Sequence, residues 1–408
     1  MTPGILMADF AALEQSNKIT KTRVQSIDLL RGVVMIIMAI DHVRDYFHND
    51  AFLYSPTDLS KTSIPLFFTR FITHYCAPVF VFLAGASAYL SGTKKSKHEL
   101  SSFLFTRGIW LVIAELFILS LFRTFNPSFE YLNLQVIWAI GLSMIVLSGM
   151  IYMKTRYVLV IGIALVFGHN LLDNVHVNGN GLISFLWAVL HEQKTFQVGY
   201  FSVCVKYPVL PWIGIMALGY CCGSLYSNGF DEKRRRKLLL LMGLAATALF
   251  ITLRAGNLYG EAYHWSSQKN TFYSFLSFIN VTKYPPSLLY ILITLGPSLI
   301  FLAVSEKPTR SLGKKIIVFG NTPMFYYMAH LLLIHILASI AALMTGYPEM
   351  LILHTSVYQT AALKGYGFNL VDVYLIWGAI IFFLYPFCKW FGQYKRENQS
   401  KHWWLKYL

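Results

Sequence analysis

The stretch Asp28–Asn49, DLLRGVVMIIMAIDHVRDYFHN, decides how this chain is read. Its centre, Val33–Ile40, is eight apolar residues in a row and begins like a membrane-spanning helix. Asp28 and Arg31 stand at one end, however, and Asp41, His42, Arg44, Asp45 and His48 crowd the other. A charge at the bilayer centre costs about 3 kcal/mol or more, so such side chains must face a protein-lined or wet cavity, or lie past the membrane boundary. In a helix, residues eleven apart return to within about 20° of one azimuth and stand about 16 Å apart along the axis. Arg31 and His42 have that spacing and share a face. Asp28 is placed to pair with Arg31, while the i,i+4 pairs Asp41/Asp45 and Arg44/His48 predict a charged cluster at the far end. For Arg44, Asp45 and His48 a solvated helix end is the competing reading, and for Arg31 a snorkelling anchor.

The rest of the chain agrees with a bilayer. Of 408 residues, 56% are hydrophobic and 13% charged, which excludes a chain of soluble domains and predicts an all-α, polytopic membrane protein. A hydrocarbon core of about 30 Å takes about 20 apolar residues as helix. On that scale ten spans are expected, at 27–47, 67–91, 102–124, 131–152, 156–173, 208–227, 237–255, 285–304, 316–343 and 367–391. The apolar piece 181–191 is too short to cross and reads as interfacial or re-entrant. Ten spans put both termini on one face, where segments 18–23, 94–97, 154–156, 233–237, 307–315 and 389–406 collect 22 of the 34 Lys and Arg. That face is expected to be cytoplasmic, and the net charge of +15 is explained by orientation in the membrane rather than by nucleic acid. The expected organisation is a tail over 1–26, one transmembrane domain over 27–391 and a tail over 392–408. The five cysteines lack paired or metal-ligand spacing, so neither disulfides nor a metal site is expected.

Ser26–His42, SIDLLRGVVMIIMAIDH, resembles the first-span signature of transmembrane acyltransferases, with Arg31 and His42 matching the Arg-x10-His pattern of the acyltransferase-3 family. Ala77–Leu90, APVFVFLAGASAYL, is similar to the second-helix motif of that superfamily. RVQSIDLLRG (23–32), APVFVFLAG (77–85), NVTKYPPSLLY (280–290) and GNTPMFYYMAH (320–330) resemble, in the same order, segments of the heparan-α-glucosaminide N-acetyltransferase group and its bacterial relatives. The resemblance implies transfer of an acetyl group from cytoplasmic acetyl-CoA to a sugar amine or hydroxyl at the outer face. It implies a multi-pass protein of a bacterial inner membrane, whose partners are acetyl-CoA, a glycan acceptor and the lipid bilayer. Whether it forms a homo-oligomer is left open.

The two patterns nominate different histidines. The acyltransferase-3 pattern points to His42; the heparan-enzyme pattern has asparagine there and a histidine after an aromatic pair, which nominates His48 in Tyr46–Asn49, YFHN. Either imidazole suits acyl transfer, as general base or as acetyl acceptor, with Asp41 or Asp45 fixing its tautomer. Oxyanion donors would come from Asn321, Lys283 or a backbone N–H. Arg31, three turns from His42, suits the phosphate or pantetheine portion of the donor. Lys283 and His330 match family positions, and His74 is a further candidate.

Other polar residues read more simply. Pro78 cannot donate to the His74 carbonyl, which predicts a kink and a free acceptor. Glu115 reads as a buried partner of Arg107 or Arg123, and His335 as an interhelical hydrogen-bonding residue. Gly219 and Gly223 have the spacing of close helix packing. The main rival function is a proton-coupled transporter using the Asp/Arg/His cluster, and a third is a catalytically silent membrane subunit.

Overall fold

Residues Gln25–Phe47 form one 23-residue helix, α1, in which the charged ends and apolar centre of the opening stretch are continuous. The computed structural model describes residues 24–306 and 311–407. Most of the expected tail 1–26, with Lys18, Lys21 and Arg23, and the loop residues Lys307 and Arg310 lie outside the described residues. Six helical stretches are long and apolar enough to cross a membrane: Ile64–Gly92, Lys97–Thr124, Thr155–Leu172, Glu232–Ala255, Pro323–Thr345 and Leu370–Asn398. Val136–Met150, Leu210–Tyr226 and Leu288–Val304 are shorter apolar helices. The protein is thus a mostly helical membrane protein.

In chain order the further elements are α2 (Ile64–Ile72), α3 (Cys76–Gly92), α4 (Lys97–Ile113), α5 (Ser120–Thr124), β1 (Tyr131–Leu134), α6 (Val136–Met150) and α7 (Thr155–Gly168). They continue with α8 (Leu182–Leu190), β2 (Lys194–Val198), β3 (Phe201–Val205), α9 (Leu210–Gly223), α10 (Glu232–Ala255) and α11 (Thr271–Ile279). The last are α12 (Leu288–Val304), α13 (Ser311–Asn321), α14 (Pro323–Thr345) and α15 (Leu370–Asn398). Helix α1 packs against α3, α13, α14 and α15 and so lies inside the bundle. One continuous core runs from Ile27 to Cys388.

Three departures from the expected spans have local causes. The span expected at 131–152 starts only at Val136, because Tyr131–Leu134 is a strand paired in parallel with β3, which also pairs antiparallel with β2. A small three-stranded sheet thus sits within the otherwise all-α fold, and its β2–β3 turn uses Gly199 at φ +61°. The span expected at 316–343 is two helices, broken at Thr322 because Pro323 can start a helix but has no N–H to continue one. The span expected at 67–91 is likewise broken, by a tight turn at Thr73–Tyr75 ahead of Pro78. There the carbonyl of His74, which Pro78 cannot satisfy, accepts a 2.8 Å hydrogen bond from the Tyr290 hydroxyl of α12. The kink is thereby stabilised by a side chain from a distant helix. At the C-terminal end, α15 continues to Asn398, past the expected limit of 391.

Small residues set the tightest helix contacts. A Cβ on Gly219 would sit 2.0 Å from the Phe82 carbonyl oxygen, and one on Gly85 would sit 2.1 Å from that of Met216, so α3 and α9 touch backbone to backbone. The same is true of α1 and α13 at Gly32 and Gly320. Backbones approach this closely in membranes where glycine permits it, and dispersion between them replaces the missing hydrophobic drive.

Candidate functional site

The charged end of α1 opens into a cavity of about 400 Å³. Its walls come from α1, the 51–56 connection, α2, α3, the start of α6, the segment after β3, the 280–287 connection, Tyr327 of α14 and Tyr358. Exposed Leu53 and its neighbours Tyr54, Ser55 and Pro56 form the mouth, while Met38 and Phe80 close the floor. Asp41, His42, Arg44 and Asp45 all line it.

Asp41 is the electrostatic centre. Its Oδ2 accepts from Arg70 Nη1 at 2.5 Å, its Oδ1 accepts from Thr73 Oγ1 at 3.0 Å, and Arg44 Nη1 lies 2.7 Å from Oδ1. Arg44, 4% exposed, also donates to Asp45 Oδ1 at 2.5 Å. The cluster expected at this end of α1 therefore exists, with Arg44 and Arg70 as its cations. His48 is not part of it. The buried His48 Nδ1 accepts from Asp50 N at 3.1 Å, its backbone pairs with Phe368, and it does not line the cavity.

His42 is different from every other histidine on α1 or near it. It faces the cavity and, among the described residues, makes no hydrogen bond. Its ring centroid lies 5.2 Å from that of His330 and 6.2 Å from that of Tyr327 on α14. His330 is fully buried, is stacked on Tyr326, and has Nδ1 2.8 Å from the Tyr326 carbonyl oxygen. Its Nε2 is buried without a partner. His74 is buried behind the turn it belongs to, with its ring 5.5 Å from Tyr290, outside the cavity lining.

Arg31 and Asn321 lie toward the other end of α1. Arg31 donates to Asp28 Oδ1 at 2.8 Å, to the Gly320 carbonyl at 3.2 Å and to Ser87 Oγ at 2.9 Å, tying α1 to α13 and α3. The pairing with Asp28 is as the spacing anticipated. Arg31 does not share the cavity with His42: on α1 the lining begins at Met38, and Val34 and Met35 are packed in the core between the two. Asn321 ends α13, and its Oδ1 is buried without a partner.

Lys283 and Tyr284 enter the cavity from the connection between α11 and α12, just before a cis bond to Pro285. Burial, then the charge of Arg70, holds the Lys283 ammonium below the usual lysine range. Burial alone would raise the Tyr284 hydroxyl, but Lys283, Lys206 and Arg70 outweigh it and pull it down. Sequence reasoning missed Arg70, Tyr284 and Lys206. Arg70 carried a readable signal, a lone cation inside the apolar run LFFTRFI (66–72). Tyr284 carried only its place in the quoted NVTKYPPSLLY segment and Lys206 carried none, because their neighbours are supplied by the fold.

Glu115 is accounted for without chemistry. It pairs with Arg123, and its Oε2 accepts from Ile137 N at 3.1 Å and Trp138 N at 3.3 Å at the start of α6. His335 bridges elements as expected, its ring nitrogens 3.0 and 2.9 Å from the carbonyl oxygens of Phe122 and Met350.

The arrangement is an unbonded imidazole on the wall of an ionic cavity, in a bundle whose α1 and α3 carry the motifs quoted above. Comparison with curated proteins gives no match. The family described as heparan-alpha-glucosaminide N-acetyltransferase, catalytic, matches residues 23–255, which is more than half of the chain. That match covers α1 through α10 and stops before the 280–290 and 320–330 segments. The chain belongs to the heparan-alpha-glucosaminide N-acetyltransferase family, and with it to the membrane acetyltransferases.

Proposed function

We propose that this protein moves an acetyl group from acetyl-CoA to an amino or hydroxyl group of a sugar, with His42 as general base or as the acetyl acceptor. The observation that carries the reading is the state of His42: it faces the cavity free of hydrogen bonds, whereas Asp41, Asp45 and His48 are committed to other partners. As a base, His42 takes the proton of the attacking amine or hydroxyl. The lone pair forms the new bond to the thioester carbonyl carbon, the C–S bond breaks, and the imidazolium returns the proton to the departing thiolate. As an acceptor, the imidazole nitrogen attacks the carbonyl carbon and displaces the thiolate, which takes the proton of the other ring nitrogen; the sugar then attacks, the C–N bond to the ring breaks, and the freed imidazole takes the sugar's proton. His330, in ring contact with His42, is positioned to steady its orientation.

Coenzyme A is larger than this cavity, so the bulk of the donor has to lie beyond it. Asn321 Oδ1, Tyr326 Oη and His330 Nε2 are buried polar atoms without partners, and they follow α13 and α14 from the Arg31 end of α1 to His42. Buried orphans of this kind call for a ligand or water. They mark the path by which a donor gripped near Arg31 would reach the imidazole when α1 and α14 part. Counted with α1 and the three shorter helices, the six long ones make ten crossings, with both termini cytoplasmic and the cavity mouth on the outer face of a bacterial inner membrane. The sugar acceptor enters there.

The test is turnover of labelled acetyl-CoA by the purified protein in lipid nanodiscs. His42→Ala should lower hydrolysis and transfer by about 10²–10⁴-fold, the usual worth of a positioned base. His48→Ala removes only a cap on the 49–52 turn and should retain activity within about threefold. Equal loss in both variants contradicts the assignment to His42. Gradient-driven uptake without acetyl-CoA turnover favours a proton-coupled transporter instead.

A further inference from the structure

The cavity holds more positive than negative charge, and the excess is local. Arg44 and Arg70 are matched by Asp41 and Asp45. Among the described residues, Lys206 and Lys283 have no carboxylate partner. Both lie over the same aromatic ring: Lys206 Nζ is 5.1 Å and Lys283 Nζ 5.3 Å from the Tyr284 centroid. Lys206 also donates to Tyr358 Oη at 2.5 Å. Lys283 is only 9% exposed and makes no hydrogen bond among the described residues. An unpaired ammonium this deeply buried is costly unless an anion completes it.

The loop that carries Lys283 is held in advance. Glu261 Oε2 accepts from Thr282 N at 2.9 Å and Ser287 Oγ at 2.8 Å, so one carboxylate spans the loop. His169 Nε2 lies 2.8 Å from the Pro286 carbonyl, and Asn170 Oδ1 accepts from Leu288 N at 2.9 Å. Side-chain contacts from two other segments thus hold the loop under an ammonium that has no hydrogen-bond or carboxylate partner among the described residues. Prepaid ordering of this kind lowers the cost of binding.

We propose that the Lys206–Tyr284–Lys283 corner is an oxyanion subsite that takes a carboxylate or phosphate carried by the acceptor. The inference rests on the acetyltransferase reading of this cavity and adds the acceptor's charge to it. Tyr358, whose hydroxyl Lys206 meets, is 37% exposed, and packed Val34 and Met35 separate the cavity from the Arg31 end of α1, so an anion at this corner is assigned to the molecule that enters from the exposed side. Such an acceptor is an acidic sugar, either a uronate or a sugar phosphate, the latter free or linked to a carrier lipid.

The experiment measures binding to the full-length protein in nanodiscs by titration calorimetry, with glucosamine, glucosamine 6-phosphate and glucuronate as probes. A separate arm compares acetyl-CoA with acetyl-pantetheine. Wild type should bind one of the acidic sugars about tenfold or more tightly than glucosamine, the worth of one charge-assisted hydrogen bond. Which of the two is preferred assigns carboxylate or phosphate. Lys283→Met should abolish that preference, and Lys283→Arg should keep most of it. Equal binding of charged and neutral sugars by wild type overturns the proposal and needs no variant to fold. A preference confined to acetyl-CoA over acetyl-pantetheine, and lost in Lys283→Met, also overturns it by assigning the anion to the donor. Turnover of acetyl-CoA by wild type is scored separately, so failure of the acetyltransferase reading is seen as absent turnover and failure of the subsite as turnover without acidic preference.

Discussion

Neutralising Asp41 tests whether this carboxylate holds the cavity together or orients the imidazole beside it. Asp41→Asn keeps the shape and removes the charge that Arg44 and Arg70 share. Arg44 retains Asp45 at 2.5 Å, but Arg70 keeps only neutral acceptors, the new amide oxygen and Thr73 Oγ1 at 3.5 Å. The side chains are 13% exposed for Asp41, 4% for Arg44 and 14% for Arg70, so solvent screens the loss weakly. Breaking a buried pair in this way costs about 3–5 kcal/mol, most of it the penalty of the stranded cation. Removing that cation as well, in Asp41→Asn/Arg70→Met, should make the double variant about 1–3 kcal/mol more stable than the sum of the two single losses predicts. The assay is reversible unfolding in mixed detergent–SDS micelles, read by tryptophan fluorescence for wild type, both singles and the double. Strictly additive losses would refute the ionic cluster as drawn. If Asp41 served chiefly to fix the His42 tautomer, Asp41→Asn would instead lower turnover with little change in stability.

Other consequences are quicker to state. In Gly320→Ala the new Cβ would lie 2.1 Å from the Asp28 carbonyl oxygen, 1.3 Å short of the 3.4 Å of ordinary contact. Helices α1 and α13 must separate, at a cost of about 1–3 kcal/mol in the same unfolding assay; an unchanged midpoint contradicts the packing. Arg254, 1% exposed, donates to the carbonyls of Ser277, Phe278 and Asn280 at the end of α11 and to that of Tyr263. Arg254→Met strands all four and should speed proteolysis of the 256–284 connection by about tenfold or more, as one or two of these bonds would predict; equal cleavage rates count against the cap. Lys283 is held below its ordinary pKa of 10.5 by burial and Arg70, opposed by Tyr284 and Asp41. Because its folded pKa is depressed, the charged form costs stability below that pKa, and the cost fades as pH rises toward 10.5. Anion affinity at this corner should therefore begin to fall with rising pH before the ordinary lysine range, and a titration flat up to 10.5 would exclude Lys283 from the subsite.

What the sequence revealed, and what it hid, follows from how local each signal is. The charges of α1 were legible because they violate the apolar rule of a span, and the i,i+3 spacings Asp28/Arg31 and Asp41/Arg44 hold wherever the helix sits, whereas the i,i+4 spacing of Arg44 and His48 made no pair. Pro78 and the orphaned His74 carbonyl were legible because proline acts on its own helix; that the acceptor is met by Tyr290 was not, since the partner is more than two hundred residues away. Tyr131–Leu134 passed as the start of a span and Phe201–Val205 fell in the connection ahead of the next one, because each is four or five residues of mainly apolar sequence and hydropathy does not register which strand will pair with it. The choice between His42 and His48 was likewise beyond sequence. Six residues separate them, and what distinguishes them is that one faces the cavity while the other caps the turn that follows α1.

The cavity sits where regular helix fails, and this is the physical reason a site can exist there at all. Non-helical backbone at membrane depth is tolerated only where protein or water satisfies it. Around this cavity each break is satisfied by a side chain from another element. Tyr290 serves the turn before α3, Glu115 takes N–H groups at the start of α6 from within a π-helical stretch of 114–119, and His169 and Glu261 hold the 280–287 connection. These contacts release backbone from helical register and let Arg70, Lys283 and Tyr284 turn inward to meet α1. The supporting residues are therefore as decisive for the site as those that line it. Glu261→Ala, which touches no cavity wall, should displace Lys283 and weaken acidic-probe binding, while His42-dependent hydrolysis of acetyl-CoA in the absence of a sugar persists. Unaltered acidic-probe binding in that variant would mean that the loop keeps its shape without the clamp, and that the preorganisation argued from Glu261 is wrong.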